Sequence, residues 1–280
     1  MGLCHFATDL HGRPDRYRKL WDAAAAERPT ALFLGGDLLP HRLATGGDFA
    51  AGVLADGFRR LRADLGPAYP AVFLIPGNDD PAAELPGFAA GEDEGLWIQA
   101  HGRRVAWGDR LVLGYACIPP SPFLLKDWER YDVSRFVDPG CVPPEEGRRT
   151  VAREEREIRL ATIAAELEEL AGDADLARAI CLFHCPPYGC SLDRAALDGR
   201  LVDHAPVDVH IGSIAIRKFL EARRPPLSLH GHVHEAARLT GAWRETIGAT
   251  LACNGAHDGP ELALVRFDPD APAAAARVLL

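Results

Sequence analysis

Five short apolar runs punctuate the chain: Leu3–Thr8, Ala31–Leu34, Ala71–Ile75, Ala179–Phe183 and Leu227–Leu229. Each reads as a buried strand. Between the first three lie Asp15–Glu27 and Phe49–Leu65, segments of helical character. This β-α-β-α-β opening predicts parallel strands joined by right-handed crossovers. Arg103–Trp107 and Arg110–Tyr115 are expected to pair as a hairpin turning at Gly108-Asp109. In "VAREEREIRLATIAAELEELAG", Leu160, Ile163, Leu167 and Leu170 recur at helical spacing, which predicts one amphipathic helix packed on the core. Ser213 is expected to cap a helix over Ile214–Arg223, and further strands are expected near Thr246–Ala252 and Leu262–Phe267.

Residues 117–147 have a different texture. "CIPPSPFLLKDWERYD" and "DPGCVPPEEG" carry too much proline for one regular element, and long loops of this kind commonly serve as lids or binding surfaces. Leu124, Trp128 and Tyr131 are candidates for a wall beside a site; packing onto the core is the other reading. No linker divides the chain, so residues 1–280 are expected to form a single domain with an insertion around 117–147.

Composition narrows the function. At 280 residues and 48% hydrophobic, the chain can bury a substantial core. It holds no run approaching the roughly 18–20 apolar residues of a membrane helix, and "MGLCHFATDLHG" lacks the layout of a signal peptide. A cytoplasmic protein without membrane contact is the expectation. Seven cysteines without paired spacings suit reduced thiols, and those of "CLFHCPPYGC" have no partner cluster elsewhere, which argues against structural zinc. A net charge of −9 disfavours nucleic acid as a partner without forbidding it. The basic groups Arg59-Arg60-Arg62, Arg148-Arg149-Arg153 and Arg217-Lys218-Arg223-Arg224 read as solvated surface.

Candidate chemistry lies at the ends of the apolar runs. The first is followed by Asp9-Leu10-His11, the second by Gly35-Gly36-Asp37, and the third by Gly77-Asn78-Asp79-Asp80. His184 follows the fourth, and His230-Gly231-His232-Val233-His234 the fifth. A single "GNDD" is ordinarily a turn. Five strand ends bearing carboxylate, amide or imidazole donors are not explained that way, because the carboxyl edge of an α/β sheet is where ligands bind. Such donors, without thiolate, suit Mn, Fe or Zn, and seven of them exceed one tetrahedral ion. Two divalent or trivalent ions are therefore expected; a carboxylate such as Asp37 can bridge them, and two ions so placed can hold a shared hydroxide for attack on phosphorus.

The order Asp9-x-His11, Gly36-Asp37, Gly77-Asn78, His184 and Gly231-His232-x-His234 resembles the calcineurin-like metallophosphoesterase superfamily. Within it, "GSIAIRKFLE" and "PLSLHGHVHE" resemble a small, mostly uncharacterised bacterial group. The resemblance implies an α/β fold, a two-sheet β-sandwich flanked by helices in α-β-β-α layers. It implies that Asp9, His11 and His234 hold one metal, that Asn78, His184 and His232 hold the other, and that Asp37 bridges. It also implies hydrolysis of a small phosphate ester, either a phosphodiester or an activated phosphomonoester. A nuclease or protein phosphatase of the same fold, or a metal-binding scaffold without catalysis, are the alternatives; retention of all seven donors argues against the scaffold.

One position departs from the pattern. Where most members carry a histidine that polarises the phosphate or protonates the leaving oxygen, this chain has Asp79. An aspartate has a reference pKa of about 3.9, which neighbouring cations depress further, so it is a poor proton donor. It could instead accept from a ligand imidazole, hold a metal-linked water or cap the turn. His210, before Gly212-Ser213, is a second candidate for the catalytic position, with a surface role as the alternative. His230 is expected to be structural or to orient a ligand. Asn254 closes a turn in this reading, and His5, His41, His101, His204 and His257 carry no assigned chemistry.

Overall fold

The structure is a computed structural model that describes residues 2–40 and 49–280; His41 lies outside the described residues. Strands β1 (Cys4–Ala7), β2 (Ala31–Leu34), β3 (Ala71–Leu74) and β4 (Ile98–Gln99) alternate with helices α1 (Pro14–Glu27), α2 (Ala55–Leu65) and α3 (Leu85–Asp93). The hairpin β5 (Arg103–Trp107) and β6 (Arg110–Tyr115) follows, with Trp107 opposite Arg110 across the expected two-residue turn. Beyond residues 117–147 come α4 (Glu155–Leu160), α5 (Ile163–Ala171) and β7 (Ile180–Phe183), then a small hairpin of β8 (Leu201–Val202) and β9 (Ala205–Pro206). The chain ends with α6 (Ile214–Arg223), β10 (Leu227–His230), α7 (Ala236–Thr240), β11 (Arg244–Ile247), β12 (Thr250–Asn254), β13 (Ala263–Phe267) and β14 (Ala276–Leu279).

All of these strands but β8 and β9 form two six-stranded mixed sheets, ordered β14-β13-β1-β2-β3-β4 and β11-β12-β10-β7-β6-β5. The first three apolar runs are parallel neighbours in one sheet, and the last two are parallel neighbours in the other. Alternation along each strand explains why the runs are continuous. Phe6, Phe33, Phe73, Ile180, Leu182 and Leu229 point between the sheets and build one core. Leu32, Leu34, Val72 and Leu74 pack outward under α1 to α3, while Cys181 and Phe183 pack outward under α5 and α6. Both faces of every central strand are thus covered, giving helix, sheet, sheet and helix layers.

Two expectations need correction, and one strand was not anticipated. The amphipathic stretch is two helices, because Ala161 is extended and the Thr162 side chain accepts from the Ala165 amide to start a new one. Tyr131 and Asp132 take the amides of Ile163 and Ala164, so a local cap and a tertiary pairing override the periodicity, and Leu160 is left 62% exposed. The strand expected near Thr246–Ala252 is a hairpin, with Ile247 opposite Thr250 and Gly248 at φ +61° in the turn. The alanine-rich end carries no strand signal of its own, yet it adds β14 as an edge beside β13. The Ser213 cap behaves as expected: its hydroxyl accepts from the Ile216 amide at 3.0 Å.

Candidate metal centre

The carboxyl ends of β1, β2 and β3 meet those of β7 and β10 at one edge of the sandwich. The loops there are stitched together by backbone bonds: Asp9 N–H donates to the Gly36 carbonyl, His11 N–H to Asp37, and Gly12 N–H to Leu38. That stitching holds Asp9, His11 and Asp37 in left-handed backbone, at φ 55°, 49° and 51°; His232 joins them at 69°. Each such residue costs about 1–2 kcal/mol for a side chain bearing a Cβ, so four among seven candidate donors mark a place where the fold enforces geometry. Two glycines permit the close approach. A Cβ on Gly77 would lie 2.2 Å from Asp37 Oδ1, and one on Gly231 would lie 2.4 Å from Asp9 Oδ2.

Donor atoms of Asp9, His11, Asp37 and His234 all lie within 4.8 Å of one another. His234 Nε2 is 2.9 Å from Asp9 Oδ1 and 3.2 Å from His11 Nε2. Beside them, His184 Nε2 sits 3.0 Å from Asn78 Oδ1 and 3.5 Å from Asp37 Oδ2. The His184 ring lies 5.3 Å from that of His232, whose backbone amide donates to both Asp9 oxygens. Asp37 thus belongs to the cluster of Asp9, His11 and His234 and also faces His184, which in turn adjoins Asn78 and His232.

Charge in this cluster is arranged for cations. Burial opposes ionisation of Asp9, but the imidazoles of His234, His184 and His11 outweigh it and hold the carboxyl well below the usual range. Asp37 is lowered in the same way, against its burial, chiefly by His184. Burial works against a charged His184 too, yet Asp37 and Asp9 push it up to about 10, whereas burial and the charge on His184 drive His232 down to about 3. The His184 Nδ1 hydrogen is committed to the Gly35 carbonyl at 2.8 Å, so Nε2 is the nitrogen turned toward Asp37 and Asn78. Buried oxygen and imidazole donors of this kind, with the His184 tautomer fixed, suit a divalent ion.

The rest of "GNDD" now has an account. Asp80 is fully buried and accepts from the amides of Leu38 (3.1 Å), Leu39 (2.7 Å) and Gly77 (2.8 Å), clamping the loop after Asp37 to the Asn78 turn. Its backbone carbonyl receives Trp128 Nε1 at 2.6 Å. Trp128 and Tyr131 are buried and only Leu124 is exposed; Trp128 braces the turn, whereas the Tyr131 hydroxyl bonds Glu145 Oε2 at 2.7 Å. Asp79 lies at the rim, its carboxylate accepting from Asn78 Nδ2 at 3.0 Å.

His210 is not part of the cluster. Its Nδ1 bonds Asp193 at 2.7 Å, and it lines a cavity of about 790 Å³ with Phe136, Tyr188 and Leu201. A second cavity, about 920 Å³, is lined by His101, Arg104, Tyr115 and Trp128. None of the seven donors lines either one. His230 is structural, donating through Nδ1 to the Cys185 carbonyl and facing Ser228 Oγ through Nε2. Asn254 ties down the histidine loop, donating to the carbonyls of Val233 and Leu192.

Three supporting residues escaped the sequence reading. The buried Arg16 guanidinium donates to the carbonyls of Asp9, His257 and Gly259; Thr8 Oγ1 donates to Asp9 Oδ2 at 2.7 Å; Asp193 organises the His210 loop. Arg16 lies in a helix with no local signal. Thr8, directly before Asp9, could have been suspected.

Fold and site together define a metallophosphoesterase, a hydrolase. The calcineurin-like phosphoesterase family matches residues 5–236, and the chain belongs to that family. No curated protein matches it. Among solved structures, it is similar to the TT1561 protein of Thermus thermophilus, at 18% identity and TM-score 0.58, covering 99% of this chain and 98% of that one. It is also similar to a dimetal phosphatase from Danio rerio, at 13% identity and TM-score 0.50, covering 94% and 91%. At these identities the likeness speaks for the fold. Among the described residues no helix is long and apolar enough to cross a membrane.

Proposed function

We propose that this protein hydrolyses a phosphate ester with two metal ions, one held by Asp9, His11 and His234, the other by Asn78, His184 and His232, with Asp37 shared. The observation that carries this reading is the convergence of donors from both sheets about Asp37, with His184 Nε2 at 3.5 Å and the Asp9, His11 and His234 atoms within 4.8 Å. When bound, such a pair supplies Lewis acidity toward the phosphoryl oxygens and brings the pKa of a bound water near neutrality.

The protein's own groups supply geometry. Asp80 holds the Asp37 and Asn78 loops in register, the Gly35 carbonyl fixes the His184 tautomer, and Thr8 with the His232 amide orients the Asp9 carboxylate. Proton delivery to the leaving oxygen is the weak point, because Asp79 occupies the family's histidine position and its carboxylate is already an acceptor for Asn78. The substrate class this favours is an ester whose leaving group departs as a stable anion, such as an aryl or phosphoryl oxygen, since general-acid help is worth about 10²–10⁴ in rate for poorer ones.

The test is elemental analysis after reconstitution with Mn, Fe or Zn, followed by rates on aryl and alkyl mono- and diesters. Two ions per chain and a steep dependence on leaving-group pKa are expected. At most one ion, or no hydrolysis by the fully loaded protein, would sink the proposal.

A further inference from the structure

Asp79 touches the candidate centre in three ways. Its backbone amide donates to Asp37 Oδ1 at 2.8 Å, so the turn itself holds one oxygen of the shared carboxylate. Its side-chain Oδ1 accepts from Asn78 Nδ2 at 3.0 Å. Its Oδ2 faces His11 Nδ1 at 3.8 Å, on the side of that ring opposite the Nε2 directed at His234. An asparagine amide has two nearly isosteric ends, and only its oxygen can bind a cation. With Asn78 Nδ2 engaged by a carboxylate, its oxygen is the end left facing His184 Nε2 at 3.0 Å. A histidine in Asp79's place would offer at most one ring nitrogen as acceptor and no negative charge.

We infer that Asp79 is a positioning residue: it locks the Asn78 side chain with its oxygen toward the centre. This deepens the reading above and rests on Asn78 holding an ion. The exchange of imidazole for carboxylate thus trades a proton donor for an orienting acceptor. Outer partners of this kind are typically worth 10–100-fold in metal affinity.

The experiment is calorimetric titration of Mn²⁺ into metal-stripped wild type, Asp79→Ala, Asp79→Asn and the same Asp79→Ala change in an Asn78→Asp background, with melting curves confirming the fold of each. Asp79→Ala should weaken one binding step by about 10–100-fold. Asp79→Asn keeps an oxygen that accepts from Asn78 Nδ2 and should restore most of that loss. In the Asn78→Asp background there is no amide to orient, so Asp79→Ala should cause no comparable weakening. Wild-type affinity in Asp79→Ala, no rescue by asparagine, or an undiminished loss in the Asn78→Asp background would each overturn the inference.

A second readout needs no metal. The Asn78 side-chain amide hydrogens should exchange slowly in wild type and Asp79→Asn and fast in Asp79→Ala; equal exchange in all three overturns the locking. A wild type that takes up no Mn²⁺ while showing the protected amide would instead count against the metal reading and leave the lock standing.

Discussion

Replacing Asp80 with alanine should cost more than any other single change near the centre that leaves the candidate donors intact. The carboxylate is fully buried and serves three amides, those of Leu38, Leu39 and Gly77, at 2.7–3.1 Å. A buried donor left unsatisfied costs about 1–3 kcal/mol, which sets an upper range of roughly 3–9 kcal/mol. Two effects reduce it. Water can enter the space vacated, and the wild-type carboxylate is itself uncomfortable, since burial and the nearby Asp37 push its pKa up to about 7 despite the three amides. An expected loss of about 3–5 kcal/mol follows, which for a chain of this size is a fall in Tm on the order of 10 °C. Asp80→Asn keeps one accepting oxygen and should lose less than half as much. Urea unfolding and calorimetry of the metal-free proteins measure both. A loss under about 1 kcal/mol for the alanine variant would refute the clamp, and equal losses for both variants would show that the amides are not what the carboxylate serves.

The other expectations are shorter. Asp37→Asn should lower occupancy on both sides of the shared carboxylate, read by elemental analysis; loss on one side alone would contradict the sharing. Trp128→Phe keeps the ring's packing but removes the bond to the Asp80 carbonyl, and should cost about 1–2 kcal/mol in urea unfolding. His230 is held neutral, its pKa lowered to about 4 by burial. The unfolded chain takes up its proton near pH 6.5 and the native state only near 4, so stability is lost as pH falls through that window, by about 3 kcal/mol at most for this residue. His230→Asn keeps a donor for the Cys185 carbonyl and should flatten the decline between pH 7 and 5; an unchanged slope would show that His230 does not drive it.

What could be read directly from the chain was local or strictly ordered. The apolar runs predicted strands because a run covered on both faces has no polar side to hide, and β2 and the β5–β6 hairpin begin and end where expected. The order of donors after five of those runs pointed to the centre, because strand ends at one sheet edge must converge. The rest required the tertiary structure. Nothing local shows that three donor-bearing strands lie in one sheet and two in the other, since parallel pairing is set by contacts remote in sequence. Helix periodicity across residues 155–171 could not reveal that Tyr131 and Asp132 would take the amides after Thr162. Above all, Asp79 and Asp80 are adjacent and chemically identical, yet one faces Asn78 at the rim and the other is sealed beneath three amides. Adjacent side chains on a turn point in different directions, and what each meets there is decided by the loops that fold over it.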